Sequence, residues 1–240
     1  MAKAIVLAGG KGTRLKSSKV PKQYISVCGE MIISYVLENC LCCPEIQEII
    51  IAADERWRDS ILKEYENISA KDDFSMKPLS FSDSGETRQL SIYNALLSIE
   101  DSTSDDDIVA ILDAARPNTS ADILSDVINE AKMHDGALPV LPMKDTVYFS
   151  QDGKRVSKLI PREKLFAGQA PEAFKYKKYF LSNTVLLPDK ILEINGSSEP
   201  AVLAGLDIAL IKGNENNFKI TTDEDLKRFE ASQNLNINNS

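Results

Sequence analysis

The part of the chain whose residue types best fit chemistry is a glycine-rich loop near its start. Gly9, Gly10 and Gly12 follow a short apolar run, and Arg14 and Lys22 come soon after them. Glycines let a backbone pass close to a ligand, and exposed N–H groups with nearby cations can surround a triphosphate. The segment therefore predicts a polyphosphate site.

The charge of the chain is unevenly divided. The net charge is −8, yet the first 29 residues contain six Lys or Arg and no Asp or Glu. Such a run is often only a solvated face, but its overlap with the glycines favours an anion site. The acidic balance of the whole chain argues against a general nucleic-acid-binding protein.

Two familiar glycine loops do not match. A Walker A loop needs Gly-Lys followed by Ser or Thr, whereas Lys11 stands between two glycines. A dinucleotide fingerprint needs a third glycine where Leu15 stands, so hydride transfer remains only an alternative.

A carboxylate is expected beside this loop. Asp113 follows the apolar run 108–112, which places it at the end of a buried strand, where it could hold a hard cation. The plainer interpretation is a loop acid or helix cap. Arg88 and Arg116 could likewise contact a nucleotide, or serve only as a helix cap and an ion-pair partner.

The secondary-structure elements that must position these residues alternate between strands and helices. We predict strands at 4–8, 48–53, 79–81, 108–112, 137–141 and 208–211, and helices at 31–41, 57–65, 89–99, 121–134 and 175–181, with a short helix before Gly205 and a last one starting at Thr222. This order predicts an α/β fold: a Rossmann-like, mostly parallel sheet with helices on both faces, whose ligand lies at the carboxyl ends of the strands.

The alternation is interrupted once. Residues 146–150 and 155–160 flank a Gln-Asp-Gly-Lys turn, which predicts an inserted β-hairpin arm. We expect one domain over residues 1–240, with 146–162 as this arm.

The composition limits the classes of protein to which the chain can belong. With 240 residues, 43% of them hydrophobic, the chain can bury a sizeable core. There is no apolar run long enough for a membrane span and no signal peptide, so a cytoplasmic protein without membrane or nucleic-acid partners is expected. Cys40, Cys42 and Cys43 are expected to be reduced thiols, and His134 to lie near a helix end rather than in a catalytic site.

Several motifs together resemble one family. The segments are LAGGKGTRL (7–15), PKQY (21–24), GETRQLS (85–91), DAARP (113–117), KDT (144–146), GQAP (168–171) and NFKIT (217–221). Their order and spacing are similar to those of the cytidylyltransferases that activate polyol phosphates, forming CDP-methylerythritol or CDP-ribitol. The resemblance covers nearly the whole chain.

The resemblance implies a role for each position. Attack of a substrate phosphate on CTP would release pyrophosphate, with Mg²⁺ bridging the triphosphate at Asp113. The arm would clasp a second subunit of a homodimer. The expected catalytic cations are Arg14, Lys22 and Lys219; the nucleotide-binding residues are Leu7, Ala8, Gly9, Gly10, Gly12, Gly85, Glu86, Arg88, Ser91, Asp113 and Ala114; the acceptor-binding residues are Arg116, Thr146 and Arg162.

The chain departs from the family on the acceptor side. The family's Thr-Asp pair is absent from residues 195–199, with Gly196 in place of the acid, and Leu112 and Ala170 replace a His and a Thr. We therefore expect an acceptor other than methylerythritol phosphate. The alternatives are a sugar-phosphate enzyme using another nucleoside triphosphate, and a nucleotide-binding module without turnover.

Overall fold

A computed structural model describes residues 1–10, 18, 20–71 and 74–238. The strands are β1 (Ala2–Leu7), β2 (Ser26–Val27), β3 (Glu30–Met31), β4 (Ile46–Ala52), β5 (Leu79–Ser82), β6 (Ile108–Asp113), β7 (Gly136–Pro142), β8 (Val147–Phe149), β9 (Lys158–Ile160), β10 (Phe166–Gly168), β11 (Glu172–Lys175) and β12 (Ile208–Lys212). The helices are α1 (Ile32–Cys42), α2 (Glu55–Lys71), α3 (Arg88–Ser98), α4 (Ala121–Met133), α5 (Tyr176–Thr184), α6 (Glu199–Leu203) and α7 (Asp223–Asn238).

Eight strands form the central sheet. Strands β5, β4, β1 and β6 are parallel neighbours in that order. Strand β11 runs antiparallel between β6 and β7, and β7 also pairs with β10 antiparallel and with β12 in parallel. The predicted mostly parallel α/β sheet is confirmed.

Helices cover both faces, because the apolar strands offer side chains to each side. On one face, Val6 and Ile51 pack in a core with α1, α2 and α4. On the other, Ile5 and Ile111 pack with α3 and α5. Parallel sheets buried in this way read as continuous apolar runs in a sequence, which is why the strands could be identified.

Side-chain caps fix where several helices begin. The Thr87 hydroxyl accepts from the Leu90 N–H at the start of α3. At α7, the Asp225 N–H donates to the Thr222 hydroxyl, and the Asp225 carboxylate accepts from the Thr221 and Thr222 N–H groups. This reciprocal pattern is a capping box with Asp in place of Glu, and it fixes the helix start that was predicted at Thr222.

Two strands of the sheet, β10 and β11, were not expected from the sequence. The helix predicted at 121–134 ends at Met133 with His134 as its C-cap, and Gly136 begins β7. The segment around Lys219, between β12 and α7, is irregular.

The inserted hairpin is present with a longer connection than predicted. Strand β8 pairs antiparallel with β9, Val147 facing Ile160 and Phe149 facing Lys158. The connection spans residues 150–157 because Asp152 accepts from the N–H groups of Lys154 and Arg155 and folds the loop on itself. Among the residues described, no helix is long and apolar enough to cross a membrane.

Candidate active site

A cavity lies at the carboxyl ends of β1, β5 and β6. It has a volume of about 650 Å³, a size typical of small-molecule sites. Its walls are Leu7, Ala8, Gly9, Gly10, Pro21, Lys22, Gln23, Tyr24, Asp54, Arg56, Trp57, Ser84, Gly85, Glu86, Thr87, Arg88, Ser91, Asp113, Ala114, Ala115, Lys219 and Thr221. The ligand position expected from the strand order is therefore where the cavity lies.

Two glycines are required by close packing at this edge. A Cβ on Gly9 would lie 2.3 Å from the Cβ of Ser84, so the loops after β1 and β5 touch there. A Cβ on Gly85 would lie 2.6 Å from the Cγ of Leu90. The Gly85 N–H also donates to the Ser91 hydroxyl at 3.0 Å, which fixes the loop on the start of α3.

A short 3-10 turn, Lys22–Tyr24, holds the glycine loop. The Gln23 side-chain amide donates to the carbonyls of Ala8 and Gly10, at 2.5 and 2.8 Å, and the Tyr24 hydroxyl donates to Ala8 at 2.9 Å. Tyr24 also stacks on Trp57, with ring centroids 4.2 Å apart. Sequence reasoning missed the roles of Gln23, Tyr24 and Trp57, although the first two lie in the quoted PKQY motif.

Asp113 is the electrostatic centre of the site. Its Oδ1 pairs with Arg88 at 2.7 Å, and its Oδ2 with Lys219 at 3.0 Å and with Arg116 at 3.3 Å. Burial alone would raise the pKa of this carboxyl, but the three cations outweigh burial and hold the pKa far below its usual range. Asp113 is therefore ionised and organises three cations at the strand end.

The loop that carries Lys219 is anchored from two sides. Lys22 Nζ donates to the Ile220 carbonyl at 2.6 Å, and Arg116 donates to the Asn217 carbonyl at 2.6 Å. Asn217 is fully buried, and its amide donates to the Ala170 carbonyl. Lys22 and Lys219 are thus brought to the same cavity from distant parts of the chain.

A second carboxylate lies behind Arg88. Arg88 Nη1 donates to the Ser197 hydroxyl at 2.5 Å, and that hydroxyl donates to Glu172 Oε1 at 2.8 Å. The Tyr179 hydroxyl donates to the Ser197 carbonyl at 2.7 Å. Neither Glu172 nor Ser197 was predicted, because β11 was not recognised and no spacing links residue 172 to residue 88.

Most of the predicted nucleotide-binding residues line the cavity: Leu7, Ala8, Gly9, Gly10, Gly85, Glu86, Arg88, Ser91, Asp113 and Ala114, together with the predicted catalytic residues Lys22 and Lys219. Gly12 and Arg14 lie outside the described residues. Arg116 does not line the cavity but contacts Asp113.

Thr146 and Arg162 lie at the base of the arm and do not line the cavity of their own chain. Both are exposed, and Arg162 donates to the Lys144 carbonyl at 2.7 Å. In the stretch that lacks the family acid, the Glu199 carboxylate accepts from the N–H groups of Asn195 and Gly196 and therefore caps the loop. It does not reach the cavity.

The carboxylates can hold a metal only together with a ligand. Among the described residues, no group of three His, Cys, Asp or Glu side chains is placed to bind a metal ion. Mg²⁺ commonly binds through one or two carboxylates plus substrate phosphates. Asp113 at the end of β6, with cationic side chains beside the cavity, fits that mode of binding.

Comparisons with known proteins show which family the chain resembles. Residues 2–234 match the family model for 2-C-methyl-D-erythritol 4-phosphate cytidylyltransferase (IspD). The chain is 30% identical over 234 residues to ribitol-5-phosphate cytidylyltransferase of Lacticaseibacillus paracasei, covering 96% of this chain and 97% of that protein. It is 31% identical over 231 residues to 2-C-methyl-D-erythritol 4-phosphate cytidylyltransferase of Xylella fastidiosa, covering 95% and 94%.

Some relatives are longer. The bifunctional enzyme IspD/IspF of Pelagibacter ubique is 32% identical over 223 residues, which are 93% of this chain but 55% of that protein, so the chain spans about half of it. Among solved structures, 4-diphosphocytidyl-2C-methyl-D-erythritol synthase from Anaerococcus prevotii shares the fold, with a TM-score of 0.79 and 23% identity, covering 97% of this chain and 96% of that one.

Proposed function

The chain belongs to the 2-C-methyl-D-erythritol 4-phosphate cytidylyltransferase family of nucleotidyltransferases, and from this premise we propose that it transfers the cytidylyl group of CTP to a small phosphorylated polyol. The observation that carries the proposal is the cavity in which glycine-loop backbone, Lys22 and Lys219 surround the end of β6. Such a cavity can neutralise a triphosphate, which is the main demand of this chemistry.

The reaction forms one bond and breaks one. An oxygen of the acceptor phosphate attacks the α-phosphorus of CTP, and the bond from that phosphorus to the bridging oxygen breaks, so that pyrophosphate leaves with the negative charge. Lys22 and Lys219 stabilise this charge, and Arg14 is proposed to act with them. Transfer of this kind depends on position and charge more than on a proton-removing base.

Magnesium is proposed as the cofactor. When bound with the triphosphate, it would neutralise phosphate charge and orient the leaving group. Asp113 is the residue proposed to direct it, while Lys219 exchanges its contact with Asp113 for one with the phosphates.

Cytosine is assigned to the loop of residues 84–87 and the start of α3. The Gly85 N–H bond to Ser91 fixes this loop on the start of α3, and Ser84 packs against Gly9 of the loop after β1. Gly85 and Glu86 line the cavity, where their backbone groups are proposed to read a base. We expect CTP to bind more tightly than ATP, GTP or UTP. Equal affinities for all four would favour the alternative of an enzyme that uses another nucleotide.

The acceptor is proposed to be a ribitol phosphate-like polyol rather than methylerythritol phosphate. The proposal is supported by the absence of the family's Thr-Asp pair from residues 195–199. Glu199, the acid that this segment does contain, caps its own loop. Leu112 and Ala170 no longer support it, since both are buried and neither lines the cavity. At a fixed CTP concentration, kcat/KM should be lower for methylerythritol phosphate than for ribitol phosphate. A kcat/KM that is tenfold higher for methylerythritol phosphate, about 1.4 kcal/mol, would contradict the proposed acceptor.

A homodimer is proposed to complete the acceptor site. The arm pairs only with itself among the described strands and exposes apolar side chains, including Tyr148 and Leu159. An isolated two-stranded hairpin is only marginally stable, so the arm is expected to pack on a partner subunit and to bring it Thr146 and Arg162.

The function is tested by pyrophosphate release and by CTP binding. Lys22→Met should weaken CTP binding by about tenfold or more, because a charge-assisted contact to phosphate is lost. Lys132→Met on α4 is the matched control, since Lys132 is exposed and donates to Asn129 away from the cavity. Equal CTP affinities for the two variants would remove Lys22 from the site.

A further inference from the structure

The Glu172 carboxylate has one satisfied oxygen and one that is not. Oε1 accepts from the Ser197 hydroxyl, whereas Oε2 is buried and has no hydrogen-bond partner, although the Ser198 side chain lies near enough to lower the pKa of the carboxyl. A buried polar atom without a partner costs free energy, about 1–3 kcal/mol. Such an atom in a folded protein needs a reason.

Arg88 lies between this carboxylate and Asp113. Its Nη2 donates to Asp113 Oδ1 at 2.7 Å, while its Nη1 reaches Glu172 through the Ser197 hydroxyl, at 2.5 and 2.8 Å. A guanidinium has five N–H donors in one plane. Arg88 can therefore donate hydrogen bonds to two acidic groups and redistribute those hydrogen bonds between them.

Asp113 is fully engaged in the structure described here. Both of its oxygens are paired with cations, so it can direct a metal ion only if some of those cations turn to other anions. Lys219 borders the cavity and can move to the phosphates of a nucleotide. Arg88 is the cation with a second acidic group close by, and that group is Glu172. Burial raises the pKa of the Glu172 carboxyl, while the charge of Arg88 and the hydrogen bond from Ser197 act to lower it.

We propose that Glu172 is a positioning residue. When CTP and Mg²⁺ bind at Asp113, Glu172 accepts hydrogen bonds from Arg88 and balances its positive charge in place of Asp113. Ser197 links the two groups, and the unpartnered Oε2 is the place to which the guanidinium turns. This inference rests on the proposed role of Asp113 toward Mg²⁺. In addition to Glu199, which caps the loop of residues 195–199, β11 thus supplies this loop with a second acid, Glu172, through Ser197.

The test is calorimetric binding of CTP at increasing Mg²⁺ concentration, with the full chain and no acceptor present. For Glu172→Gln, which keeps the size but not the charge, the Mg²⁺ concentration that gives half of the affinity gain should rise about fivefold or more. Affinity for CTP without Mg²⁺ should stay within about twofold, since Glu172 does not line the cavity.

Two further variants separate charge from packing. Glu172→Asp keeps the charge and should retain most of the Mg²⁺ response, whereas a packing role would make Asp the more harmful change. Glu199→Gln is the matched control in the neighbouring loop and should behave like the wild type. If Glu172→Gln does not fold, Ser197→Ala breaks the same link, and an unchanged Mg²⁺ response in that variant overturns the proposal.

The outcomes also separate this inference from the proposed function. A wild-type response to Mg²⁺ in Glu172→Gln, with normal CTP binding, overturns the role of Glu172 and leaves the proposed function intact. If the wild type binds no CTP, the proposed function fails. If it binds CTP without any Mg²⁺ response, the role of Asp113 fails, and that of Glu172 with it.

Discussion

Gly9 occupies a position where a side chain has no room. In Gly9→Ala the new Cβ would clash with Ser84, so the two loops would separate. We expect a loss of about 1–3 kcal/mol in unfolding free energy and, because the loop is displaced, a loss of CTP affinity of about tenfold or more. Urea unfolding and CTP titration measure these changes.

Gly196→Ala is the control for that change, because a Cβ at Gly196 meets no atom within 4 Å and its backbone needs no glycine. It should match the wild type in both measurements. Equal behaviour of the two alanine variants would show that the contact between Gly9 and Ser84 does not shape the site.

Asp113 links activity to acid stability. Its lowered folded-state pKa means that its contribution to stability is present above the unfolded value of about 3.9 and is lost as the pH falls below it. In Asp113→Asn, three cations lose their shared anion, which should cost about 3–5 kcal/mol at pH 7 and lower kcat about 100-fold or more.

Denaturant unfolding of wild type and Asp113→Asn between pH 7 and pH 3 checks the linkage. The difference in unfolding free energy between them should be constant near neutrality and shrink at the acid end. A difference that grows as the pH falls would contradict the ionised state of Asp113.

Single residues of the site were predictable where a motif carried them. The glycines, Lys22, Asp113 and Lys219 stand in segments whose composition or family resemblance marks them. Glu172 and Ser197 were not predictable, because each looks like an ordinary polar residue until β11 and the loop before α6 bring them to Arg88.

At the scale of elements, the end of α4 is tied to the loop before β12 by a titrating group. His134 Nδ1 lies 2.7 Å from Asp207 Oδ2, and Nε2 lies 3.3 Å from Glu130 Oε1. The hydrogen bond to Asp207 and the nearby acids raise the pKa of His134 above its ordinary value of 6.5. The tie therefore contributes fully below about pH 6.5 and is lost as the pH rises through the folded-state pKa.

This pKa can be read directly, since the chain contains one histidine. A proton NMR titration should place its midpoint above 6.5, and Asp207→Asn should move it back toward that value. A midpoint at or below 6.5 in the wild type would show that the contact does not persist in solution. The tie is exposed, so only a small change in melting temperature is expected.

Elements were predictable where burial imposes a pattern. Strands β1, β4 and β6 each contain a run of apolar residues because helices cover both faces of the sheet, and α3, α4 and α7 start at capping residues. Strand β11 was not predicted because its four residues, EAFK, are too few to show a strand pattern, and their pairing depends on partners far away in the chain. Tertiary context decides such short strands.

For the whole molecule, the arm makes a prediction about assembly. Leu159 in the arm and Leu203 on α6 are similarly exposed, 59% and 64%. Leu159→Asp should give monomers and weak acceptor binding with normal CTP binding, because a charge in an apolar interface must be desolvated. Leu203→Asp should sediment like the wild type.

Sedimentation velocity at micromolar concentration distinguishes the cases. A monomeric wild type would contradict the proposed clasp. A dimer that survives Leu159→Asp but not Leu203→Asp would move the interface from the arm to the face of α6.

The position of β11 also bears on the order in which the chain can fold as it leaves the ribosome. Among the described strands, β7 has no earlier neighbour in the sheet: its partners β10, β11 and β12 all come after it in the chain. Strands β1, β4, β5 and β6 can pair as soon as they emerge, while β7 must wait first for β10 and β11 and last for β12, which ends at Lys212. Nascent chains halted before β11 should therefore hold a protected first half and a protease-sensitive β7, and protection of β7 should appear only when the later strands have been synthesised.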